Sequence, residues 1–293
     1  MGVRFYLTPT EENKLSWQYK FLLPALLVLL SIVAFPTFFL FYVSFHEWVL
    51  FKRGMPFIGF ENFSRVLTSP QFLQSLKVSV MYTFSTTTLT FILGLGLALI
   101  LNEQLKGRGI MRTLIALPLV IPPVVAGFAW KFALNREVGI IGAFILPAMG
   151  FMKSLLGDPS LALSSIILAD IWSKTSLMFL ILLAGLQAVS PDLYEAARID
   201  GASSWQLFRH ITFPLIKPAV IIALIIRFID AFNVFDAIFV MTSGGPGTAT
   251  QTFPLLGWKI GFLYFNLGQA ATLAIIMLIM TIGVSIFLIR RIT

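Results

Sequence analysis

The feature that most limits the fold of this chain is a series of long apolar runs separated by short polar segments. An apolar run that crosses a bilayer forms a helix, because lipid offers no partners to unpaired backbone groups. About 18 residues or more are enough for one crossing. Six runs reach that length almost without charge: 21–45, 78–101, 111–134, 164–186, 219–240 and 272–289. We therefore predict an all-α integral membrane protein with six transmembrane helices.

Composition narrows the possible function classes. The chain is 58% apolar and 12% charged, whereas about a quarter of the residues in soluble domains are charged. It has no cysteine and only two histidines, which excludes disulfides and thiolate metal sites and leaves little for a catalytic triad. We expect no metal site, and an integral-membrane enzyme is a weak alternative because no nucleophile–base pair accompanies the acids. The net charge of +8 is scattered among apolar segments, so we expect no nucleic-acid partner.

The positions of Lys and Arg predict which side of the membrane each loop occupies, because positively charged short loops are translocated poorly. With the N-terminus inside, the cytoplasmic segments carry 11 basic residues in about 67 positions, and the outer loops carry 7 in about 89. We therefore predict that both termini are cytoplasmic, with 1–20 as a cytoplasmic segment and 21–293 as one six-span domain. The first run is longer than the apolar core of a signal peptide, about 7 to 15 residues, so we interpret it as a retained anchor.

Five ionisable residues lie well inside two of the runs, where a charge costs a few kcal/mol. Asp236 lies further along the fifth run, and the other four form two pairs. Asp170 and Lys174 are spaced i,i+4 in the fourth run, and Arg227 and Asp230 are spaced i,i+3 in the fifth. Each pair therefore shares a helix face and lies roughly 15 Å from the outer end of its span, near the bilayer midplane. Two interpretations remain open: polar contacts of a translocation pathway, or structural ion pairs that join neighbouring helices.

Other polar groups lie close to these charges. Trp172, Thr175 and Asn233 supply an aromatic face, a hydroxyl and an amide, and these groups suit a polyhydroxylated ligand. A second function class is a secondary carrier driven by an ion gradient, with Asp230 or Asp170 as the proton site. A carrier of that kind would leave the long cytoplasmic connection after the fourth run without a purpose.

Two further patterns concern the shape of the helices. Three prolines between 118 and 123 predict that the third helix is interrupted and bent. Gly94, Gly96 and Ala98 form a strip of small residues in the second run, which predicts that a neighbouring helix approaches closely.

The segment 187–218 is long for a connection between packed helices, where about 2 to 8 residues are usual. Ser190 is a suitable N-cap for a helix that begins at Pro191, and Gly201 suits the positive φ that ends such a helix. A second helix can start at Ser203 or at the residue after it. We therefore predict a helix-turn-helix on the cytoplasmic face that docks a partner.

This segment resembles a known family. Its sequence Glu195-Ala-Ala-Arg-Ile-Asp-Gly-Ala, followed by Phe208 and Ile211-Thr-Phe-Pro214, is similar to the EAA loop of permease subunits in binding-protein-dependent ABC importers. Phe57-Ile-Gly-Phe-Glu-Asn-Phe63 and Thr242-Ser-Gly-Gly-Pro246 resemble the carbohydrate branch of these permeases, of the maltose, trehalose and glycerol-phosphate type, and the first of its two permeases. The resemblance covers nearly the whole chain, and the EAA loop is its most specific motif.

The resemblance implies the type I ABC importer permease fold with a cytoplasmic EAA coupling helix. The implied function is to form half of the pathway of an ATP-driven importer for a sugar, polyol or glycerol-phosphate-like solute. The implied partners are a second homologous permease, an ABC ATPase dimer and an extracytoplasmic solute-binding protein, in the cytoplasmic membrane of a bacterium or archaeon. ATP and Mg²⁺ would bind the ATPase, and we expect neither a cofactor nor an enzymatic activity on this chain, whose sequence contains no GxxxxGK[ST] loop.

The resemblance also implies roles for individual residues. The residues that would contact the ATPase or hold the second arm of the EAA loop are Glu195, Ala196, Ala197, Asp200, Gly201, Phe208 and Pro214. The positions that correspond to substrate contacts are Thr175, Met178, Arg227, Asp230, Ala231 and Val234. Trp172, Lys174 and Asn233, which are identified from their chemistry, complete the predicted substrate pathway. Arg227 and Asp230 depart from the smaller or aromatic groups of the maltose case, so maltose itself is not implied. Gly244, Gly245 and Pro246 would contact the binding protein, and the alternative for them is an ordinary turn.

Overall fold

The computed structural model describes residues 21–290. The predicted cytoplasmic segment 1–20 and the basic Arg291 lie outside the described residues. In chain order the helices are α1 (Phe21–Ser44), α2 (Glu61–Leu67), α3 (Pro70–Asn102), α4 (Arg108–Val120), α5 (Pro123–Ala133), α6 (Ile140–Ile145, continued by Leu146–Ala148), α7 (Ala162–Gln187), α8 (Pro191–Ile199), α9 (Ser204–Leu207), α10 (Phe213–Phe232), α11 (Asp236–Met241), α12 (Phe253–Leu263) and α13 (Leu267–Ile289). Across residues 21–290, the extended structure consists of two isolated β-bridges, His46 with Phe57 and Val49 with Asn266.

The long helices are those of a membrane protein. Among the described residues, α1, α3, α7 and α13 are long and apolar enough to cross a bilayer, and α4 with α5 adds a fifth crossing if the bent pair counts as one span. The 20-residue helix α10 carries Lys217, Arg227 and Asp230, so its composition alone does not mark it as a span. It packs against α3 and α7, which is the placement expected of the sixth crossing. The predicted all-α membrane fold is therefore confirmed.

Two helices differ most from the predicted bounds, each by eight residues at one end. The second span begins earlier, at Pro70, because Ser69 caps it by accepting a hydrogen bond from the backbone N–H of Phe72, at 3.2 Å. The prediction that the fifth span reaches residue 240 was wrong, because α10 ends at Phe232. The chain then runs as an irregular segment to α11, and the hydroxyl of Thr252 donates to the backbone carbonyl of Val234 within it, at 3.3 Å. That side-chain partner replaces the helical hydrogen bond that the carbonyl would otherwise accept.

The third predicted span is divided into two helices. Helices α4 and α5 meet at an angle of 96°, and the break falls at Ile121 and Pro122. Pro122 and Pro123 have no backbone N–H to continue the ladder of α4. Pro118 lies inside α4 without breaking it. The prolines therefore act as predicted, but the interruption is a sharp corner and not a kink within one helix.

Among residues 21–290, the most extensive helix–helix contact is between α3 and α7. A Cβ atom added at Gly94 would lie 2.7 Å from Cγ of Met178 and 3.0 Å from the backbone nitrogen of Phe179. Ala98 is completely buried in the same apolar cluster. Gly96 faces open space, so the predicted strip of small residues is correct for Gly94 and Ala98 and wrong for Gly96. This contact fixes the helix that carries Asp170 and Lys174 against α3.

We expect Gly94→Ala to destabilise the protein by about 1 to 3 kcal/mol, the usual cost of overpacking, because the added methyl group overlaps Met178. Gly96→Ala is the matched control, since it makes the same change in the same helix where nothing is near. Because alanine has a better helix propensity than glycine by about 1 kcal/mol, and no steric overlap opposes it, we expect Gly96→Ala to stabilise the helix. Thermal unfolding of the purified protein in detergent measures the difference, and equal melting temperatures for the two variants would contradict the proposed contact.

Candidate functional site

Arg227 of α10 is the centre of an ion network that joins three helices. Its Nη1 donates to Oδ2 of Asp230 at 2.8 Å, and its Nη2 donates to Oδ2 of Asp170 on α7. Its Nε donates to the hydroxyl of Thr90 on α3 at 3.3 Å. Lys174 on α7 completes the set, with Nζ 3.0 Å from Oδ1 of Asp230. We call Asp170, Lys174, Arg227 and Asp230 the midplane network.

The pairing within this network differs from the one that sequence spacing suggested. Lys174 pairs with Asp230 on the other helix and not with Asp170 on its own helix. Arg227 does bind Asp230 at i+3, as predicted, but it also binds Asp170 across the helix interface. A guanidinium has a planar fork of five N–H donors and can serve two carboxylates at once. The interpretation as ion pairs that join helices therefore describes the contacts of Arg227.

The network is enclosed at one end and accessible at the other. The side chains of Arg227 and Asp170 are 1% and 5% exposed, whereas those of Lys174 and Asp230 are 20% and 36% exposed. Two cations balance two carboxylates, so the cluster carries no net charge when all four are ionised. Because each enclosed charge has a partner, the desolvation cost of burying it is offset by attraction and hydrogen bonds. Only the Lys174–Asp230 edge is open to a ligand.

The remaining predicted pathway residues are also either enclosed or accessible. Met178 and Ala231 are buried in the apolar core, and Thr175 is buried with no hydrogen-bond partner for its hydroxyl. Trp172 is exposed and contacts Trp130 edge to face, with ring centroids 5.9 Å apart. The residues with accessible side chains are Trp172, Asn233 and, partly, Val234. The roles assigned to these residues by resemblance remain predictions.

The loop 187–218 has the local geometry that its sequence predicts. Ser190 caps α8 by accepting from the backbone N–H of Asp192, and Gly201 adopts φ +81° in the turn that follows. Ser203 caps α9 with a capping box, in which the side-chain oxygen of Gln206 accepts a hydrogen bond from the backbone N–H of Ser203. A single π-helical turn, Phe208–Thr212, then joins α9 to α10 without a break.

The predicted coupling residues lie mainly on the surface of this loop. Ala197 and Phe208 are half-buried. Those that are exposed are Glu195, Ala196, Asp200, Gly201 and Pro214. Two large apolar side chains beside them are also exposed, Ile199 by 86% and Trp205 by 66%. An exposed cluster of this kind indicates a contact surface for another protein.

A cavity of about 930 Å³ separates α8 from the bundle. The ends of α3 and α7, the start of α4 and both arms of the loop line it. Arg112 of α4 extends along this cavity and donates from Nη2 to the carbonyl of Leu101, at 2.6 Å. It thereby caps the C-terminal end of α3, where a cation is favoured by the helix dipole.

A buried hydroxyl, that of Thr250, holds the glycine-rich loop around Gly245. Thr250 is fully buried, and its hydroxyl donates to the carbonyl of Gly245 at 2.9 Å and contacts the hydroxyl of Thr242 at 2.7 Å. Gly244 has φ +90°, and a Cβ there would lie 2.7 Å from Cδ2 of Leu255. Gly244 is therefore needed by the turn itself, while Gly245 and Pro246 are half-buried. In residues 21–290, no group of three or more His, Cys, Asp or Glu side chains is placed to hold a metal ion.

Comparison with known proteins gives consistent matches over most of the chain. The family model described as binding-protein-dependent transport system inner membrane component matches residues 90–293. The trehalose/maltose transport system permease protein MalF of Thermococcus litoralis is 44% identical over 260 residues, which cover 88% of this chain and 86% of that protein. The sn-glycerol-3-phosphate transport system permease protein UgpA of Agrobacterium fabrum is 35% identical over 280 residues, with 92% and 94% covered.

A solved structure has the same fold. It is the crystal structure of a bacterial ABC transporter involved in the import of the acidic polysaccharide alginate, with a TM-score of 0.83 and 25% sequence identity. The match covers 97% of this chain and 98% of that chain. The two relatives and this structure differ in the charge of the solutes that their names state, so the charge of the midplane network becomes informative.

Arg227→Met should destabilise the protein by about 3 to 5 kcal/mol, because it leaves the buried carboxylate of Asp170 without a cation. Asp170→Asn combined with Arg227→Met removes both enclosed charges and keeps the Lys174–Asp230 pair. We expect the double variant to recover most of the loss, as measured by thermal unfolding in detergent. A double variant no more stable than the single one would show that Arg227 does not compensate Asp170.

Proposed function

This chain belongs to the family of binding-protein-dependent transport system inner membrane components, and from that premise we propose that it lines one half of an import pathway for a neutral sugar or polyol. It is a membrane-embedded, non-catalytic permease subunit of an ABC importer. ATP hydrolysis belongs to a separate subunit, since the sequence has no GxxxxGK[ST] loop. Family membership is inconsistent with the ion-driven carrier that the sequence alone left open.

The proposed assembly contains this chain, a second homologous permease, two ATPase subunits and an extracytoplasmic solute-binding protein. We place it in the inner membrane of a bacterium or archaeon with both termini in the cytoplasm. The twofold higher density of Lys and Arg on the proposed inner side supports this orientation. The same orientation puts α8 on the ATPase side and the loop around Gly245 on the side of the binding protein.

The observation that carries the ATP-driven assignment is the geometry of α8. This helix is capped at both ends, buries none of its side chains and presents Glu195, Ala196 and Asp200 to solvent. A short rigid helix with that exposure is suited to fill a cleft in another subunit. Closure of the ATPases would push α8 and shift the bundle between two packed states, one open to each side.

The midplane network supports a neutral solute. A phosphate or carboxylate needs an unpaired cation, but Arg227 is enclosed between Asp170 and Asp230, and Lys174 is paired with Asp230. The open edge therefore offers a carboxylate and an ammonium that already balance each other. Hydroxyl groups can bind both, because a hydroxyl donates and accepts. The exposed ring of Trp172 adds an apolar face of the kind that sugars contact.

Gly201→Val should uncouple the importer. Valine is strained at φ +81° by about 1 to 2 kcal/mol, and relief of that strain moves α8 relative to α9. We expect solute uptake and binding-protein-stimulated ATP hydrolysis to fall by roughly tenfold in proteoliposomes that contain the whole importer, which corresponds to a similar free energy.

The matched control is Gly107→Val. Gly107 has φ +78° in another turn on the same side, and like Gly201 it has nothing within 4 Å of an added Cβ. The two changes therefore share their strain and differ in position. Normal uptake by Gly201→Val, or equal losses in both variants, would contradict the assignment of α8 as the coupling helix.

Asp230→Asn should impair uptake of a neutral solute, because it removes the open carboxylate and leaves Lys174 unpaired. We expect kcat/KM for trehalose, used as the neutral probe, to fall by about tenfold, as for a lost charged hydrogen bond. Asp236→Asn is the control, since Asp236 is an exposed acid outside the network. If the wild-type importer takes up glycerol 3-phosphate in preference to trehalose, the proposal of a neutral solute is contradicted. If Asp230→Asn leaves trehalose uptake unchanged, Asp230 has a structural role only.

A further inference from the structure

Helix α8 is attached to its own subunit by very few interactions. None of its side chains is buried, and the cavity of about 930 Å³ lies between it and the helix ends of the bundle. Within residues 21–290, one side-chain hydrogen bond joins α8 to another element: the hydroxyl of Tyr194 is 3.1 Å from the hydroxyl of Thr212. Apart from this bond and the partial burial of Tyr194 and Ala197, the helix is held by the chain segments at its two ends.

Thr212 belongs to a helix that runs without a break to the middle of the membrane. It is the last residue of the π turn Phe208–Thr212, and α10 follows it directly. Its side chain is buried, and its hydroxyl also donates to the carbonyl of Leu207 at 3.3 Å. Arg227 lies 15 residues further along, which is about 22 Å of helix. A displacement of Thr212 along the helix axis is therefore a displacement of the midplane network.

By themselves, the chain segments at the two ends of α8 would transmit a movement of this helix to the bundle poorly. One end is followed by Gly201 at φ +81°, a position where backbone rotation is less restricted than for other residues. The other end follows two residues, Ala188 and Val189, that separate Ser190 from α7. A helix held at two such points can pivot into the cavity beside it. A third point of attachment between Tyr194 and Thr212 prevents the pivot.

We propose that the Tyr194–Thr212 hydroxyl pair is the positioning contact that makes α8 and α10 move together. The proposal rests on the proposed function, since it assumes that a partner pushes α8. It assigns neither residue a direct contact with ATP or solute. The π turn contributes by placing Thr212 under Tyr194, which agrees with the frequent occurrence of such turns at functional sites.

The test uses the whole importer in nanodiscs, with Asn233→Cys as a reporter at the exposed residue that ends α10. This chain has no native cysteine, so alkylation of position 233 by a membrane-impermeant maleimide can be followed after reactive cysteines of the other subunits are removed. The measured quantity is the ratio of alkylation rates with ATP and vanadate to those without nucleotide. No knowledge of the solute is required.

Tyr194→Phe and Thr212→Val each remove one hydroxyl and should reduce that ratio by about twofold or more, the range seen when residues between coupled sites are changed. The double variant should be no worse than either single one, because both changes remove the same bond. Thr212→Ser keeps a hydroxyl and should respond as the reference does. Thr113→Val is the matched control, since the exposed hydroxyl of Thr113 bonds only to Gly109 within its own helix.

The outcomes separate this proposal from the proposed function. If Gly201→Val abolishes the response but Tyr194→Phe and Thr212→Val both preserve it, the hydroxyl pair is not the positioning contact. Additive losses in the double variant would also overturn it. If Gly201→Val itself leaves the response unchanged, the coupling role of α8 fails first. Should Thr212→Val not assemble, Tyr194→Phe decides the question, because it removes a single oxygen from a half-buried side chain.

Discussion

A guanidinium enclosed by apolar helices is stable only when carboxylates surround it, and much of this bundle is arranged around that requirement. Arg227 binds Asp170 of α7 and Asp230 of its own helix, with Thr90 of α3 as a third partner. These three helices cannot slide past one another without separating buried charges, which costs several kcal/mol. The open Lys174–Asp230 edge then has a fixed position. In the proposed function, this edge is the polar contact of the solute pathway, and its position follows from the structural constraint on Arg227.

Much of the architecture could be predicted, because lipid leaves an apolar run little choice but to be a helix. Helices α1 and α7 closely follow their predicted runs, and α13 ends where predicted but begins five residues earlier. The turn at Gly201 follows from capping chemistry. The end of α10 at Phe232 could not be predicted, because the partner of the freed carbonyl is Thr252, which lies beyond α11. The prolines predict an interruption between α4 and α5, but their positions do not specify its angle of 96°.

The candidate site, like the fold, is predicted by the sequence only in part. The sequence identifies all four charges of the midplane network, because each is costly in an apolar run, but it pairs two of them incorrectly. Thr90 and Thr212 carry no signal of their own, since each becomes informative only through a partner on another helix. Met178 and Ala231 were assigned by resemblance to the pathway and are buried within this chain. Local spacing therefore predicts which residues are unusual, and tertiary contacts decide what they bind.

The contact between Gly94 and Met178 restricts how this subunit can change shape. Because there is no room for even one additional methyl group between Gly94 and Met178, α3 and α7 form a single rigid unit. Helix α10 is in equally close contact with α7, because a Cβ added at Gly185 would lie 2.6 Å from Cβ of Ala219. Alternating access therefore has to take place by movement of the other helices relative to α3, α7 and α10. The small residues Gly94 and Gly185 thereby determine which helix interfaces remain free to move when the transporter opens.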